Sequence, residues 1–449
     1  MPSVPEHFAE EVKEAAGTMV TTQSNEATPA GGMAQGLHVL AKPVGPICDI
    51  KCDYCFYLEK LALFGSGEQY RMPDEVLAAY IRQYVESQPT PVVEFVWHGG
   101  EPTLLGIDFF RRVVELQAPY REQKEIRNSL QTNGVRLDDA WCEFFKANDF
   151  FIGISLDGPM EIHDRYRKDR HGEGTFDNVM RGVRLLQKHG VEFNALACVG
   201  RETAYRPLDV YHFFKDVGIE YIQFTPIIER MPDQESEALG LWLASPATLD
   251  RQEPNTQVTP WTVEPEAYGD FLIAIYEEWV RKDVGKTFVM NFEWALTAWV
   301  GEPSPVCIFA KQCGRAVALE HDGSVFACDH YVYPDYKLGN VLNDNLGQMV
   351  EQSVANGFGP HKEQTLPRGC RECDVLNACW GGCPKHRFAI SPHGEPGLHY
   401  LCTGYRNFFR HIRKYLRAMA TLLENGLPVS HVMKAVKGPL MIKVPGRVS

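Results

Sequence analysis

Eleven of the thirteen cysteines in this 449-residue chain fall into two groups, and that distribution constrains the fold more than any other feature. Cys48, Cys52 and Cys55 lie in the segment CDIKCDYCFY, while Cys307, Cys313, Cys328, Cys370, Cys373, Cys379, Cys383 and Cys402 occupy the C-terminal part. Cys142 and Cys198 stand alone in apolar surroundings and read as core packing. Thiols grouped in this way are metal ligands in a reducing compartment more often than they are disulfides. The segment 301–404 is rich in Gly, Pro and Cys and has few core residues for its length, so bound metal is expected to organise it.

The part of the chain between the groups follows a different rule. From residue 36 to 228, short β-branched apolar runs at 37–43, 92–97, 126–131, 150–156, 191–199 and 221–225 alternate with amphipathic stretches at 73–87, 108–120, 138–147, 175–189 and 207–217. That alternation predicts an α/β fold with a parallel sheet. Six such units suggest an open or partial barrel with its chemistry at the C-terminal ends of the strands. A polar, Pro-containing linker and helices at 266–280 and 292–300 bridge residues 229–300. The cysteine-rich module spans 301–404, and a helix over 405–425 opens the last segment, 405–449.

Residues 1–35 mix Ser, Thr, Ala, Gly and charge without the apolar core of a secretory signal, and read as a disordered or loosely attached arm. A cytoplasmic protein is expected. No run of about 18 apolar residues predicts a membrane span. The net charge of -13, with both signs interspersed, argues against nucleic acid as a partner.

The first cysteine motif is CxxxCxxC, directly after the first predicted strand. Three thiolates hold three irons of a 4Fe-4S cube and leave the fourth open to a ligand. A zinc knuckle would want a fourth Cys or His close by, and none follows. Phe56 and Tyr57 would shield such a cluster from water. Gly99-Gly100-Glu101-Pro102 follows the second strand, where glycines permit close approach of the backbone to a ligand and Glu101 offers an acceptor to an ammonium group. His98 before it is left without a role. The eight later cysteines suffice for two four-thiolate sites, although CxxC at 370–373 with Cys379 and Cys383 would also suit a zinc ribbon.

CxxxCxxC with a following aromatic, on the first loop of a six-unit barrel, resembles the radical S-adenosylmethionine (SAM) superfamily. CxxC-x5-C-x3-C with a distant cysteine resembles its SPASM extension. The resemblance implies a partial (β/α)6 radical SAM barrel followed by a SPASM domain with two auxiliary iron-sulfur clusters, hence SAM and three 4Fe-4S clusters in all. It assigns Cys48, Cys52 and Cys55 to the SAM-binding cluster. Cys307, Cys313, Cys328 and Cys383 then hold one auxiliary cluster, and Cys370, Cys373, Cys379 and Cys402 the other. Tyr54, Gly99, Ser155 in SLDG, Arg167 in HDRYRKDR and Ile228 in IQFTPII take the positions of SAM contacts.

The segments KPVGPICDIKCDYCFYLEK, HGGEPTLLG, GISLDGP, CGRAVALEHDGSVFACDHYVYPDYKLGN and CRECDVLNACWGGCPKHRF resemble the anaerobic sulfatase-maturating enzymes more specifically. That family oxidises a Cys or Ser of a sulfatase to Cα-formylglycine. The likeness implies a deoxyadenosyl radical that takes hydrogen from Cβ, a base at Asp329 in the ACDHYVY segment, and an electron leaving through an auxiliary cluster. It implies as partners a sulfatase with a Cys/Ser-x-Pro-x-Arg type motif and a flavodoxin or ferredoxin-like electron donor, with the enzyme itself a monomer. Two alternatives stand beside this reading. One is a SPASM peptide maturase forming thioether or carbon-carbon crosslinks, which the short polar N-terminal arm disfavours; the other is a non-catalytic zinc-binding protein.

Overall fold

The computed structural model describes residues 36–65, 70–246, 257–313 and 315–436. The arm expected at 1–35 and the end of the last segment lie outside the described residues. In chain order the first half comprises β1 (His38–Lys42), β2 (Ile50–Cys52), α1 (Asp74–Glu86), β3 (Val92–Trp97), α2 (Ile107–Gln117), β4 (Glu125–Thr132), α3 (Asp139–Ala147) and β5 (Phe150–Ser155). Then follow α4 (Met160–Tyr166), β6 (Arg167–Asp169), α5 (Phe176–His189), β7 (Phe193–Val199), α6 (Pro207–Asp216) and β8 (Tyr221–Pro226). The second half adds α7 (Pro265–Lys282), β9 (Phe288–Val289), α8 (Met290–Val300), β10 (Ala316–Glu320), β11 (Ser324–Phe326), β12 (Lys337–Asn340), α9 (Leu346–Ala355) and α10 (Cys402–Glu424).

The six strands expected from the apolar runs are present as β1, β3, β4, β5, β7 and β8, paired in parallel in that order. Their helix-facing side chains, among them Phe95, Trp97, Leu130, Ile152 and Ile154, are fully buried, with Phe95 and Trp97 packed on Tyr80, Tyr84, Phe109 and Phe110 of α1 and α2. The connecting helices begin where their sequence dictates. Asp138 accepts from the Trp141 N–H at 2.9 Å to cap α3, and Pro207 opens α6. The second helix stops at Gln117 and tightens into a 3-10 turn over Ala118–Tyr120 because Pro119 supplies no N–H to continue it.

Three features were not anticipated. β10 pairs in parallel with β1 over its whole length, His38 opposite Ala316 through Lys42 opposite Glu320, and β11 and β12 extend that edge antiparallel. The cysteine-rich half therefore continues the barrel sheet. At the other edge β9 adds two residues beside β8. A separate two-stranded sheet pairs β2 with β6 and sets Cys52 opposite Arg167. Helix α10 crosses α7 at a glycine contact: a Cβ on Gly404 would stand 1.9 Å from the Pro265 carbonyl oxygen. Only a bare backbone lets the two helices meet so closely, and Cys402 sits two residues before that crossing.

Candidate active site

The loop after β1 carries the first cysteine group, and the loop after β3 is laid directly on it. Gly100 and Glu101 donate their N–H groups to the carbonyls of Gly45 and Ile47 at 2.7 and 2.8 Å. A Cβ on Gly100 would stand 1.8 Å from the Ile47 oxygen, so this glycine serves close approach to the cysteine loop. The Glu101 side chain faces inward. It accepts from the Thr103 N–H and hydroxyl, the Thr132 hydroxyl and the Asn133 N–H at 2.6–3.0 Å. Its oxygens tie the ends of β3 and β4 together, where the sequence suggested an acceptor for an ammonium group. Burial pushes this carboxyl up to about 7 despite those donors.

Arg167, opposite Cys52, donates Nε to Asp157 Oδ2 at 3.0 Å, and the Tyr54 hydroxyl donates to the same oxygen at 2.6 Å. The Arg167 terminal nitrogens lie 3.9 Å from Cys52 Sγ and 3.7 Å from Cys198 Sγ. Ser155 at the end of β5 accepts from Gln131 at 3.0 Å. Gly99 adopts φ 127°. The fold thus gathers Tyr54, Arg167, Gly99 and Ser155 at the C-terminal ends of β1, β3 and β5. Ile228 is buried in the main core, and its neighbour Ile227 packs with Tyr54, Tyr166 and Cys52.

Lys42 closes β1 with its side chain fully buried, and its Nζ stands 2.5 Å from Asp329 Oδ1, whose side chain is 18% exposed. The ammonium also lies 3.8 Å above the Tyr57 ring, while the Tyr57 hydroxyl donates to Glu320. Burial alone would raise the Asp329 carboxyl, but Lys42 and then His98 and His330 hold it well below the usual carboxylate range. His98, packed by this pair, is lowered to about 4 by burial and then by Lys42. Asp329 is thus an ionised acceptor one residue from Cys328, held by the strand that leads into the first cysteine loop.

The thiols group in space as follows. Beyond burial, Cys328 feels Cys307, Cys383 and Cys313, and Cys313 feels Cys307 and Cys383. Cys370 feels Cys402 and Cys373, and Cys379 feels Cys402 and Cys370. Cys52 feels Cys55 and Cys48. Burial pushes Cys48, Cys313 and Cys379 up to about 12, and Cys370 and Cys383 to about 11. Such thiols give up their protons only to strong cations, which is what iron supplies. The thiols thus fall into one set of three and two sets of four, the donor numbers that suit an open and two fully ligated iron-sulfur clusters.

Two buried cations that the sequence did not reveal brace these groups. Lys362 Nζ bonds the carbonyls of Cys307, Ile308 and Ala310. Arg387 bonds those of Lys362, Trp380 and Gly381 at 2.6–2.8 Å. A cavity of 1190 Å³ at the opposite mouth of the barrel, lined among others by Asn128, Phe193, Tyr221 and Glu293, contains none of the cysteines.

Residues 43–214 match the radical SAM superfamily, and residues 307–374 match an iron-sulfur cluster-binding domain, SPASM. Fold and site therefore define a radical SAM α/β protein with a SPASM extension. Over 419 residues the chain is 44% identical to the serine-type anaerobic sulfatase-maturating enzyme of Bacteroides thetaiotaomicron, covering 93% of this chain and 100% of the relative. Over 384 residues it is 30% identical to the cysteine-type enzyme of Clostridium perfringens, covering 84% and 96%. A solved structure, native anSMEcpe with bound AdoMet and Cp18Cys peptide, superposes with a TM-score of 0.73 at 30% identity, over 86% of this chain and 99% of that one. The chain belongs to the anaerobic sulfatase-maturating enzymes. It is a radical SAM oxidoreductase that converts a sulfatase Cys or Ser to Cα-formylglycine, with SAM and iron-sulfur clusters as cofactors. No helix among the described residues is long and apolar enough to cross a membrane.

Proposed function

We propose that the target residue of the sulfatase segment is a serine in a Ser-x-Pro-x-Arg type motif and that Asp329 removes its hydroxyl proton. The observation that carries the reading is the Lys42–Asp329 contact at 2.5 Å, which keeps a carboxylate ionised beside Cys328. Support for serine comes from the 44% identity to the Bacteroides serine-type enzyme against 28–30% for cysteine-type relatives from Clostridium.

Cys48, Cys52 and Cys55 hold the SAM-binding cluster. Cys307, Cys313, Cys328 and Cys383 hold one auxiliary cluster, and Cys370, Cys373, Cys379 and Cys402 the other. SAM would be held by Tyr54, Gly99, Ser155, Arg167 and Ile228, the last of which lies two residues beyond the end of β8. When bound, SAM and the clusters supply a deoxyadenosyl radical for the Cβ hydrogen and a route for the departing electron. Asp329 takes the substrate proton, and Lys42 holds the carboxylate in place. Residues 36–228 serve as the SAM unit and 301–404 as the auxiliary-cluster unit, joined by 229–300. The enzyme works as a monomer in the cytoplasm with a flavodoxin or ferredoxin-like electron donor.

The test is anaerobic incubation of reconstituted protein with SAM, dithionite and paired peptides carrying Ser or Cys at the target position. Loss of about 2 Da from the Ser peptide, in step with 5'-deoxyadenosine, is the expected result; a Cys peptide oxidised to the same aldehyde loses about 18 Da. Oxidation confined to the Cys peptide would overturn the serine assignment. Product formation by an Asp329→Asn variant at the native rate would remove the base.

A further inference from the structure

We propose that Asp157 is a positioning residue for SAM, its carboxylate holding Tyr54 and Arg167 in the orientation in which they meet the cofactor. The inference rests on the reading of those two residues as SAM contacts and goes beyond it to the group that aims them. Asp157 follows β5 in the SLDG segment and is 1% exposed. Its Oδ2 accepts the Tyr54 hydroxyl at 2.6 Å and Arg167 Nε at 3.0 Å, and its Oδ1 accepts the Cys198 N–H at 2.8 Å. One carboxylate thus joins the cysteine loop, β6 and the end of β7, three segments far apart in sequence.

The placement leaves Arg167 poised for an anionic ligand. A guanidinium carries five N–H donors, and a buried one is stable only where a carboxylate matches its charge. Asp157 takes Nε. Among the described residues the terminal nitrogens reach only the sulfurs of Cys52 and Cys198, at 3.9 and 3.7 Å, and sulfur is a weak acceptor. Their donor edge therefore keeps capacity for a carboxylate such as that of SAM, on the side of the first cysteine group. The Arg167 carbon centre also lies 5.5 Å from the Tyr54 ring centroid, so a shift of either side chain disturbs the other.

A second set of bonds fixes Asp157 itself. Its N–H faces His163 Nδ1 at 3.4 Å, His163 Nε2 meets the Thr175 hydroxyl at 3.0 Å, and that hydroxyl donates to the Arg167 carbonyl at 2.9 Å. With Nδ1 accepting, Nε2 carries the ring proton and donates to Thr175. The backbones of residues 157 and 167 are thereby braced independently of the ion pair between their side chains. Replacing the carboxylate alone frees the two aimed side chains while the loop stays tied.

The test compares Asp157→Asn with the native holoenzyme by two readouts: SAM dependence of 5'-deoxyadenosine formation, and SAM-induced change in the electron paramagnetic resonance spectrum of the dithionite-reduced protein. With iron content and Tm retained, half-saturation by SAM should rise about tenfold or more in both readouts, with kcat within about threefold, as expected for loss of a charge-assisted bond. Native SAM dependence in a folded, iron-replete variant overturns the inference. Should Asp157→Asn lose iron or melt early, Asp157→Glu carries the test: a shifted half-saturation supports the proposal and a native one overturns it. Arg167→Met and Tyr54→Phe separate the two layers. If both bind SAM natively, the contact reading fails; if they weaken SAM and Asp157→Asn does not, the positioning role alone fails. A positioning role also requires non-additivity, with Asp157→Asn adding little in the Arg167→Met background.

Discussion

Lys42 is a cation at the end of an apolar strand, and taking such a charge out of water costs several kcal/mol unless a counter-charge meets it. Asp329 meets it at 2.5 Å. Lys42→Met should therefore leave a carboxylate without its cation, free to turn from the substrate or to take up a proton early. Formylglycine formation should fall by about tenfold or more while iron content and SAM cleavage persist; undiminished product by mass spectrometry would reduce the pair to a structural tie. Asp329 was legible through its family position after Cys328, but Lys42 was not, since a lysine before a proline at a strand end reads as solvated. Asp157 and Arg387 escaped for the same reason: nothing in a sequence marks which charges will be buried. Glu293, on the cavity at the far mouth of the barrel, gives a pH test. Burial pushes its carboxyl up to about 7 from 4.5. A raised carboxyl stabilises the fold fully below the unfolded value near 4.5, and that contribution is lost as pH rises through about 7. Glu293→Gln should accordingly stabilise the fold by about 1–2 kcal/mol more at pH 8 than at pH 5 once water in the cavity is allowed for, read as a larger rise in Tm at pH 8. An equal shift at both pH values would show that the group is solvated.

Among elements, those with a periodic pattern and local caps were readable, and those completed by distant partners were not. β3 runs Val92–Trp97 as the apolar run indicated, and α5 ends at Gly190 in the left-handed conformation. By contrast β10, β11 and β12 are three to five residues long, and they join the sheet only because β10 pairs with β1, a partner far away in the chain. The turn from Cys379 to Cys383 shows how tertiary contact replaces pattern. Trp380, Gly381 and Gly382 all take positive φ, 45°, 67° and 59°, a run that regular structure never supplies. Its carbonyls all meet Arg387, which gathers those of Trp380, Gly381 and, at 3.4 Å, Gly382 together with the Lys362 carbonyl. Arg387→Met takes the donor from three closely bonded carbonyls and the more distant Gly382 one, at about 1 kcal/mol or more for each of the three. The variant should lose about 3 kcal/mol of stability and, because Cys379 and Cys383 belong to different thiol groups, should lose iron from both. Full iron content after gel filtration would show that the cysteines hold the turn unaided.

At the scale of the whole molecule, the two halves share one sheet, and the active site depends on that union. β1 lies between β3 and β10, so the strand that leads into the first cysteine loop is paired on one side by the barrel and on the other by the cysteine-rich half. The register sets Lys42 opposite Glu320, and the hairpin through β11 then brings Asp329 back to Lys42. Leu319 of β10 is fully buried in the same core as Val39 and Phe95. The holoenzyme heated anaerobically should therefore melt in one cooperative transition, with β1 and β10 amides exchanging together; two transitions would mean the halves are independent. Leu319→Ala makes the sharper test, since it replaces none of the cysteines and neither member of the Lys42–Asp329 pair. Truncating a buried leucine costs about 2–5 kcal/mol and lets β10 shift against β1. That shift moves Asp329 relative to Lys42 while leaving Cys48, Cys52 and Cys55 on their own loop. Formylglycine formation should fall further than 5'-deoxyadenosine formation, raising the SAM spent per product. A parallel fall in both would place the effect on stability alone and separate the sheet from the chemistry.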